Sequence, residues 1–230
     1  MYTSGSYMFR NKHYIFNTMK TRIFNLIILD ESGSMQSIKQ AAINGMNETI
    51  QSIKAAQKKH EDQEHVVTLV SFNSSAIKTI YDCVRAEEAK EITETDYTPN
   101  CCTPLYDAMG LALNTLRPKV GSEDKVLVTI ITDGEENSSS EYTGKAIKAL
   151  VEELKGSGWV FAYIGANQDL EKVAATISVT NVMNFCASSV GTGIMMRKLS
   201  QARNAMFDRI ADGDFCAEEE NTEFFNSDKE

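Results

Sequence analysis

The chain is poor in several things, and each scarcity excludes a class of protein. No apolar run approaches the roughly 18 residues that a membrane-spanning helix needs, so no membrane insertion is expected. The apolar run at 23–29 is short, contains Asn25 and ends in Asp30, and it lacks a small-residue cleavage site, which argues against a signal peptide. The five cysteines, Cys83, Cys101, Cys102, Cys186 and Cys216, form no CxxC pair and no even framework, so reduced thiols in a reducing, cytoplasmic compartment are expected. Cys101 and Cys102 are adjacent, a strained arrangement for a disulfide. The three histidines, His13, His60 and His65, are scattered, and none stands at zinc-ligand spacing with a cysteine. No cluster of Lys and Arg marks a phosphate-binding face, so no nucleic acid is expected as a partner.

What remains is an ordinary globular composition, with 42% hydrophobic and 24% charged residues in 230. That length suits one α/β domain and needs neither metal nor disulfide merely to fold. The net charge is -9. Much of it falls at the end, where Glu218, Glu219, Glu220, Glu223, Asp228 and Glu230 face only Lys229. Residues 213–230 are therefore read as an acidic tail, solvated and mobile. Residues 1–20 lack periodicity and are read as a leader, poorly structured or non-native, with Met19 a plausible true start. The folded domain is expected over 21–212.

Between those ends strands and helices alternate. The nearly continuous apolar runs 23–29 and 126–132 read as central strands buried on both faces. Met35, Ile38, Ala42, Met46, Ile50 and Ile53 recur at three or four residues, the core stripe of a helix reaching about Lys59. Strands are expected at 66–72 and 77–83; the short Asn73-Ser74-Ser75 turn between them favours an antiparallel hairpin. Helices are expected at 104–116, 142–155, 170–176 and 194–210, with further strands at 159–164 and 182–185. Such alternation argues a mainly parallel sheet covered by helices on both faces.

Three segments fall at strand ends or just before a helix: Asp30-Glu31-Ser32-Gly33-Ser34, Thr103-Pro104-Leu105-Tyr106-Asp107, and Thr132-Asp133-Gly134. Asp30, Ser32, Ser34, Thr103 and Asp133 offer only oxygen donors. Hard divalent cations prefer such donors and retain several waters. Two carboxylates balance one divalent charge, while hydroxyls add dipoles without charge, so a bound ion would still accept an outside carboxylate. In open α/β sheets ligands gather at the carboxyl ends of strands where the strand order reverses.

These segments resemble the DxSxS motif, the metal-binding threonine and the final aspartate of the metal-ion-dependent adhesion site of von Willebrand factor A domains. The resemblance runs from about Arg22 to Asp212, and the compact chain is similar to stand-alone bacterial members. It implies a three-layer, doubly wound, Rossmann-like α/β fold with a six-stranded, mostly parallel sheet and one antiparallel edge strand, 77–83. It implies Mg2+, with Mn2+ or Ca2+ as substitutes, held by Asp30, Ser32, Ser34, Thr103 and Asp133. It further implies a protein partner that presents a Glu or Asp to the ion, and no catalysis.

The alternative is a metal-dependent hydrolase or phosphatase using the same aspartates. Haloacid-dehalogenase phosphatases need a second Asp where this chain has Ser32. No GxxxxGK[ST] loop, GxGxxG turn or GxSxG elbow is present. Asp107, one turn beyond Thr103, either orders hydroxyls and waters at the site or bonds nearby backbone. Glu31, Glu135 and Glu136 are read as solvated rim. Met195 and Met196 are read as packing.

Overall fold

A computed structural model of the chain describes residues 20–166 and 170–226. The leader, apart from Lys20, and the last four residues of the acidic tail lie outside that range. The elements run β1 (Thr21–Asp30), α1 (Lys39–Lys59), β2 (Gln63–Asn73), β3 (Ala76–Arg85), α2 (Leu105–Leu116), β4 (Lys125–Thr132), α3 (Gly144–Gly156), β5 (Trp159–Ala166), α4 (Leu170–Thr176), β6 (Asn181–Phe185), α5 (Ser189–Asp212) and α6 (Ala217–Glu223). The six strands stand in the order β3-β2-β1-β4-β5-β6. All neighbours are parallel except β2 and β3, which form the antiparallel edge hairpin.

Alternation along β1 divides the core. Phe24, Leu26 and Ile28 face one way and pack with Leu105, Met109 and Leu113 of α2 and with Ile147 and Val151 of α3. Ile27 and Leu29 face the other way and pack with Ile43 and Met46 of α1 and with Met195, Met196 and Leu199 of α5. Both faces of the strand are thus covered, which is why its sequence is apolar at nearly every position. The helical stripe from Met35 to Ile53 is buried as its spacing requires, although Gly33–Ile38 forms a 3-10 turn before α1 begins at Lys39.

Two terminal elements differ from expectation. The last long helix starts at Ser189, five residues before the apolar periodicity becomes clear, because Ser188 Oγ caps it by accepting the Gly191 N–H at 3.1 Å. Gly191 is required there, since a Cβ would lie 2.2 Å from the Cys186 carbonyl oxygen. The acidic segment was read as solvated; instead, α6 docks on the sheet. Asn221 donates to the Trp159 carbonyl at 2.8 Å and accepts the Phe161 N–H at 3.1 Å. Phe224 is fully buried, and the buried Glu220 carboxylate binds Arg209 through two bonds, 2.5 and 2.9 Å long. Specific anchors among the glutamates outweigh the segment's overall charge.

The α1–α5 face holds two unusual buried groups. Arg203 is fully buried, and its guanidinium makes no hydrogen bond among the described residues; burial pulls its pKa down to about 10. His65 is also buried, with Nε2 on Gln63 Oε1 at 3.0 Å and its ring edge-on to Phe207 at 4.4 Å. Burial first, then the charges of His60 and Arg203, pull its pKa to about 4.

Two outcomes are expected. Arg203→Met should raise the unfolding free energy in denaturant melts by about 1–4 kcal/mol, since an uncompensated buried charge is replaced by a side chain of similar volume. His65 contributes stability that is complete above its ordinary pKa of 6.5 and is lost as pH falls toward 4. Melts across that window should show a loss of about 3 kcal/mol in wild type, and His65→Gln should remove that part of the slope.

Candidate functional site

The strand order reverses about β1, whose neighbours are β2 on one side and β4 on the other. β1 and β4 run parallel, with Leu29 paired to Ile131, so the residues that follow, Asp30 and Thr132, end side by side. The loops leaving these strands, and the start of α2, meet at this crevice. Asp30 is fully buried. Its Oδ1 accepts the Ser32 N–H at 2.7 Å and its Oδ2 accepts the Thr132 hydroxyl at 2.5 Å. Ser32 Oγ and Ser34 Oγ lie 3.1 Å apart, and Ser34 Oγ donates to Asp133 Oδ1 at 2.5 Å.

Thr103 closes the cluster from the α2 side. A methyl group placed on Gly134 would lie 2.9 Å from Thr103 Oγ1 and 3.6 Å from both Asp30 Oδ2 and Ser34 Oγ. Those three oxygens therefore surround one small space, and Gly134 keeps it open. Thr103 is held there by reciprocal bonds with Asn137: its N–H donates to Asn137 Oδ1 at 2.9 Å, and its carbonyl accepts the Asn137 N–H at 3.1 Å. All five residues expected from the sequence come together. Asp30, Ser32, Thr103 and Asp133 are buried, while Ser34 and Gly33 are exposed at the mouth, beside exposed Cys101 and Cys102.

Burial pushes the Asp30 pKa up to about 6, and the charge of Asp133 adds to the rise, against the bonds from Thr132 and Ser32. Asp133 is raised as well, again by burial, with the Ser34 hydroxyl opposing. Among the described residues no three or more His, Cys, Asp or Glu side chains are grouped so that they alone could hold a metal ion. The donor set is instead two carboxylates and three hydroxyls, all oxygen, which fits a hard divalent ion that keeps part of its water shell.

Several participants lacked a sequence signal. Thr132 was visible only as a neighbour of Asp133, yet its hydroxyl bonds Asp30. Tyr97 is fully buried and donates its hydroxyl to the Asp30 carbonyl at 2.6 Å. Asn73 donates to the Glu31 carbonyl at 3.3 Å. Glu31 corrects the solvated-rim reading: it is fully buried and bound to Lys78 at 2.6 Å. Burial alone would raise its pKa, but Lys78, Ser71 and Thr98 together hold it below the usual range. Glu135 is exposed as expected. Glu136 is half-buried and accepts the N–H groups of Tyr106, Ser138 and Ser139 at 2.8–2.9 Å. Asp107 bonds backbone: it accepts the N–H groups of Ser140, Glu141 and Tyr142 at 2.8–2.9 Å. Burial would raise its pKa; those N–H groups more than offset this.

A family model described as the von Willebrand factor type A domain matches residues 26–195. Comparison with curated proteins gave no match. Among solved structures, von Willebrand factor type A from Catenulispora acidiphila is 16% identical with a TM-score of 0.58, over 78% of this chain and 42% of that one. The pilus adhesin SpaC from Lactobacillus rhamnosus GG, in its open conformation, is 14% identical with a TM-score of 0.61, over 81% of this chain and 30% of that one. The vWF domain of the type V pili tip protein Mfa5 from Porphyromonas gingivalis is 11% identical with a TM-score of 0.53, over 81% and 96%. The chain spans less than half the length of the first two, and at these identities the likeness is one of fold.

Asp107 ties the loop after β4 to α2, so Asp107→Ala should free residues 138–142. A stability loss on the order of 2 kcal/mol is expected from removing a charged acceptor. Hydrogen exchange should speed up at Ser140, Glu141 and Tyr142; unchanged exchange there would contradict the assignment.

Proposed function

The chain belongs to the von Willebrand factor type A domain family, whose model matches residues 26–195, and from that premise we propose a metal-dependent protein-binding module. The observation that carries this reading is the meeting of Asp30, Ser34 and Thr103 around a small space whose mouth is exposed at Ser34, with Ser32 and Asp133 each bonded to Ser34. In this reading those five residues hold one Mg2+, with Mn2+ or Ca2+ as substitutes. The ion, when bound, supplies a Lewis-acidic contact for a carboxylate from outside. The partner is a protein that presents a Glu or Asp from a loop or tail.

The chain's own residues do the rest. Thr132 and the Ser32 N–H fix the two oxygens of Asp30, so that carboxylate is oriented before anything binds. Ser34 orients Asp133 in the same way. Preorientation of this kind lowers the ordering cost of binding. The module acts by binding and not by catalysis. The described cysteines are all free thiols, which suits the reducing cytoplasmic setting that forms part of this proposal.

The test begins with Mn2+ titration of the purified chain. Wild type should bind one ion, and Asp133→Ala, Thr103→Ala and Gly134→Ala should each weaken binding at least about tenfold. The glycine variant is informative because its new methyl would intrude on Thr103 Oγ1. Proteins captured from native lysate should be released by chelator and lost with Thr103→Ala, but retained with the exposed-surface change Lys145→Ala. Capture that ignores chelator would remove the proposed mechanism, and metal-dependent turnover of a generic phosphoester would favour the hydrolase instead.

A further inference from the structure

Asp30 and Glu31 are adjacent acids, yet strand alternation sends them apart. Glu31 turns toward β2 and β3, where Oε1 receives Lys78 Nζ at 2.6 Å, the Thr98 N–H at 2.6 Å and the Thr98 hydroxyl at 3.1 Å. The side chain is fully buried, whereas that of Lys78 is partly exposed. The segment that begins at Tyr97 continues directly to Thr103. It is laid along the Asp30–Ser34 loop by three further bonds: Tyr97 Oη to the Asp30 carbonyl at 2.6 Å, the Asn100 N–H to the Glu31 carbonyl at 2.9 Å, and the Gly33 N–H to the Cys101 carbonyl at 3.0 Å. Residues 89–104 contain no helix or strand. Their course is therefore set by these attachments and not by a regular element.

We infer that Glu31 is a positioning residue of the oxygen cluster: its carboxylate fixes the 97–103 segment, and through it the placement of Thr103, with Lys78 of the edge strand as its counter-ion. The inference deepens the function proposed above and rests on that reading for its metal arm. Glu31 does not itself face the cluster: its Oε1 is taken up by Lys78 and Thr98, and its buried Oε2 makes no hydrogen bond among the described residues. Its role is to stop the loop that delivers Thr103 from sampling other courses. The cost of losing such an outer partner in metal sites is about 10- to 100-fold in affinity.

The experiment compares wild type, Glu31→Gln, Lys78→Met and Arg209→Leu, with Asp133→Ala as the test of the function reading. Arg209→Leu breaks a different buried ion pair, with Glu220, and controls for a general loss of stability. Glu31→Gln should weaken Mn2+ binding about tenfold or more, and Lys78→Met should weaken it less, because the Thr98 bonds remain. Arg209→Leu should leave Mn2+ affinity unchanged. In metal-free protein, hydrogen exchange at Thr98, Asn100 and Thr103 should quicken with Glu31→Gln and not with Arg209→Leu. If wild type binds Mn2+ through Asp133 and Glu31→Gln binds it equally well, the positioning role is overturned while the function reading stands. If wild type binds no Mn2+, the function reading falls, and the exchange arm alone decides whether Glu31 sets the loop. Unaltered exchange from Thr98 to Thr103 would overturn the inference in either case.

Discussion

Two buried carboxylates, at the ends of neighbouring parallel strands, are the constraint around which this molecule is arranged. Asp30 and Asp133 share one crevice, and each is taken out of water. Keeping Asp30 ionised with its pKa raised to about 6 costs the fold about 3 kcal/mol near neutral pH. A domain is stable by only about 5–15 kcal/mol in all, so that cost is a large share. The surrounding residues reduce it by supplying donors: the Thr132 hydroxyl and the Ser32 N–H for Asp30, the Ser34 hydroxyl for Asp133. Perturbed acids gathered in a crevice make it a candidate functional site.

The topology explains why the acids stand there. Because β1 lies between β2 and β4, chain leaving β1 passes to one side and chain leaving β4 to the other. The ends of both strands are left uncovered by either connection, which is the general condition for a ligand site in open α/β sheets. Thr103 arrives from a third direction, at the end of a segment without regular structure, and is clasped by Asn137 from the loop after β4. The cluster thus draws on three segments remote in sequence, each fixed separately to the sheet or to α2.

The strands and the cluster were legible in the sequence because their signals are local. A strand covered on both faces is apolar throughout, and the five oxygen donors sit in short motifs at strand ends or just before a helix. What escaped notice depended on distant partners. Glu31 reads as a surface acid until Lys78, 47 positions away, is seen to bind it. The 217–223 segment reads as a solvated tail until Asn221 is seen to bridge the backbone at Trp159 and Phe161. The start of α5 was hidden for another reason: Gly191 and Gly193 interrupt helical propensity, and only the close approach to Cys186 explains why the first of them is there.

The adjacent acids Asp30 and Glu31 meet contrasting surroundings. Both are fully buried acids, one residue apart, in the same local fold. Glu31 is neutralised from within the chain, by a lysine on the edge strand at 2.6 Å. Among the described residues Asp30 receives neutral donors, the Thr132 hydroxyl and the Ser32 N–H, and the charge that shifts its pKa is the like charge of Asp133. Burial therefore does not by itself dictate an internal counter-ion here; among the described residues Glu31 has one and Asp30 does not. An acid left in that condition beside another, with hydroxyls around it and an exposed serine at the mouth, is what the proposed binding of a cation would need. Had a lysine reached Asp30 as Lys78 reaches Glu31, one of the two carboxylate charges in the crevice would be balanced from within the chain.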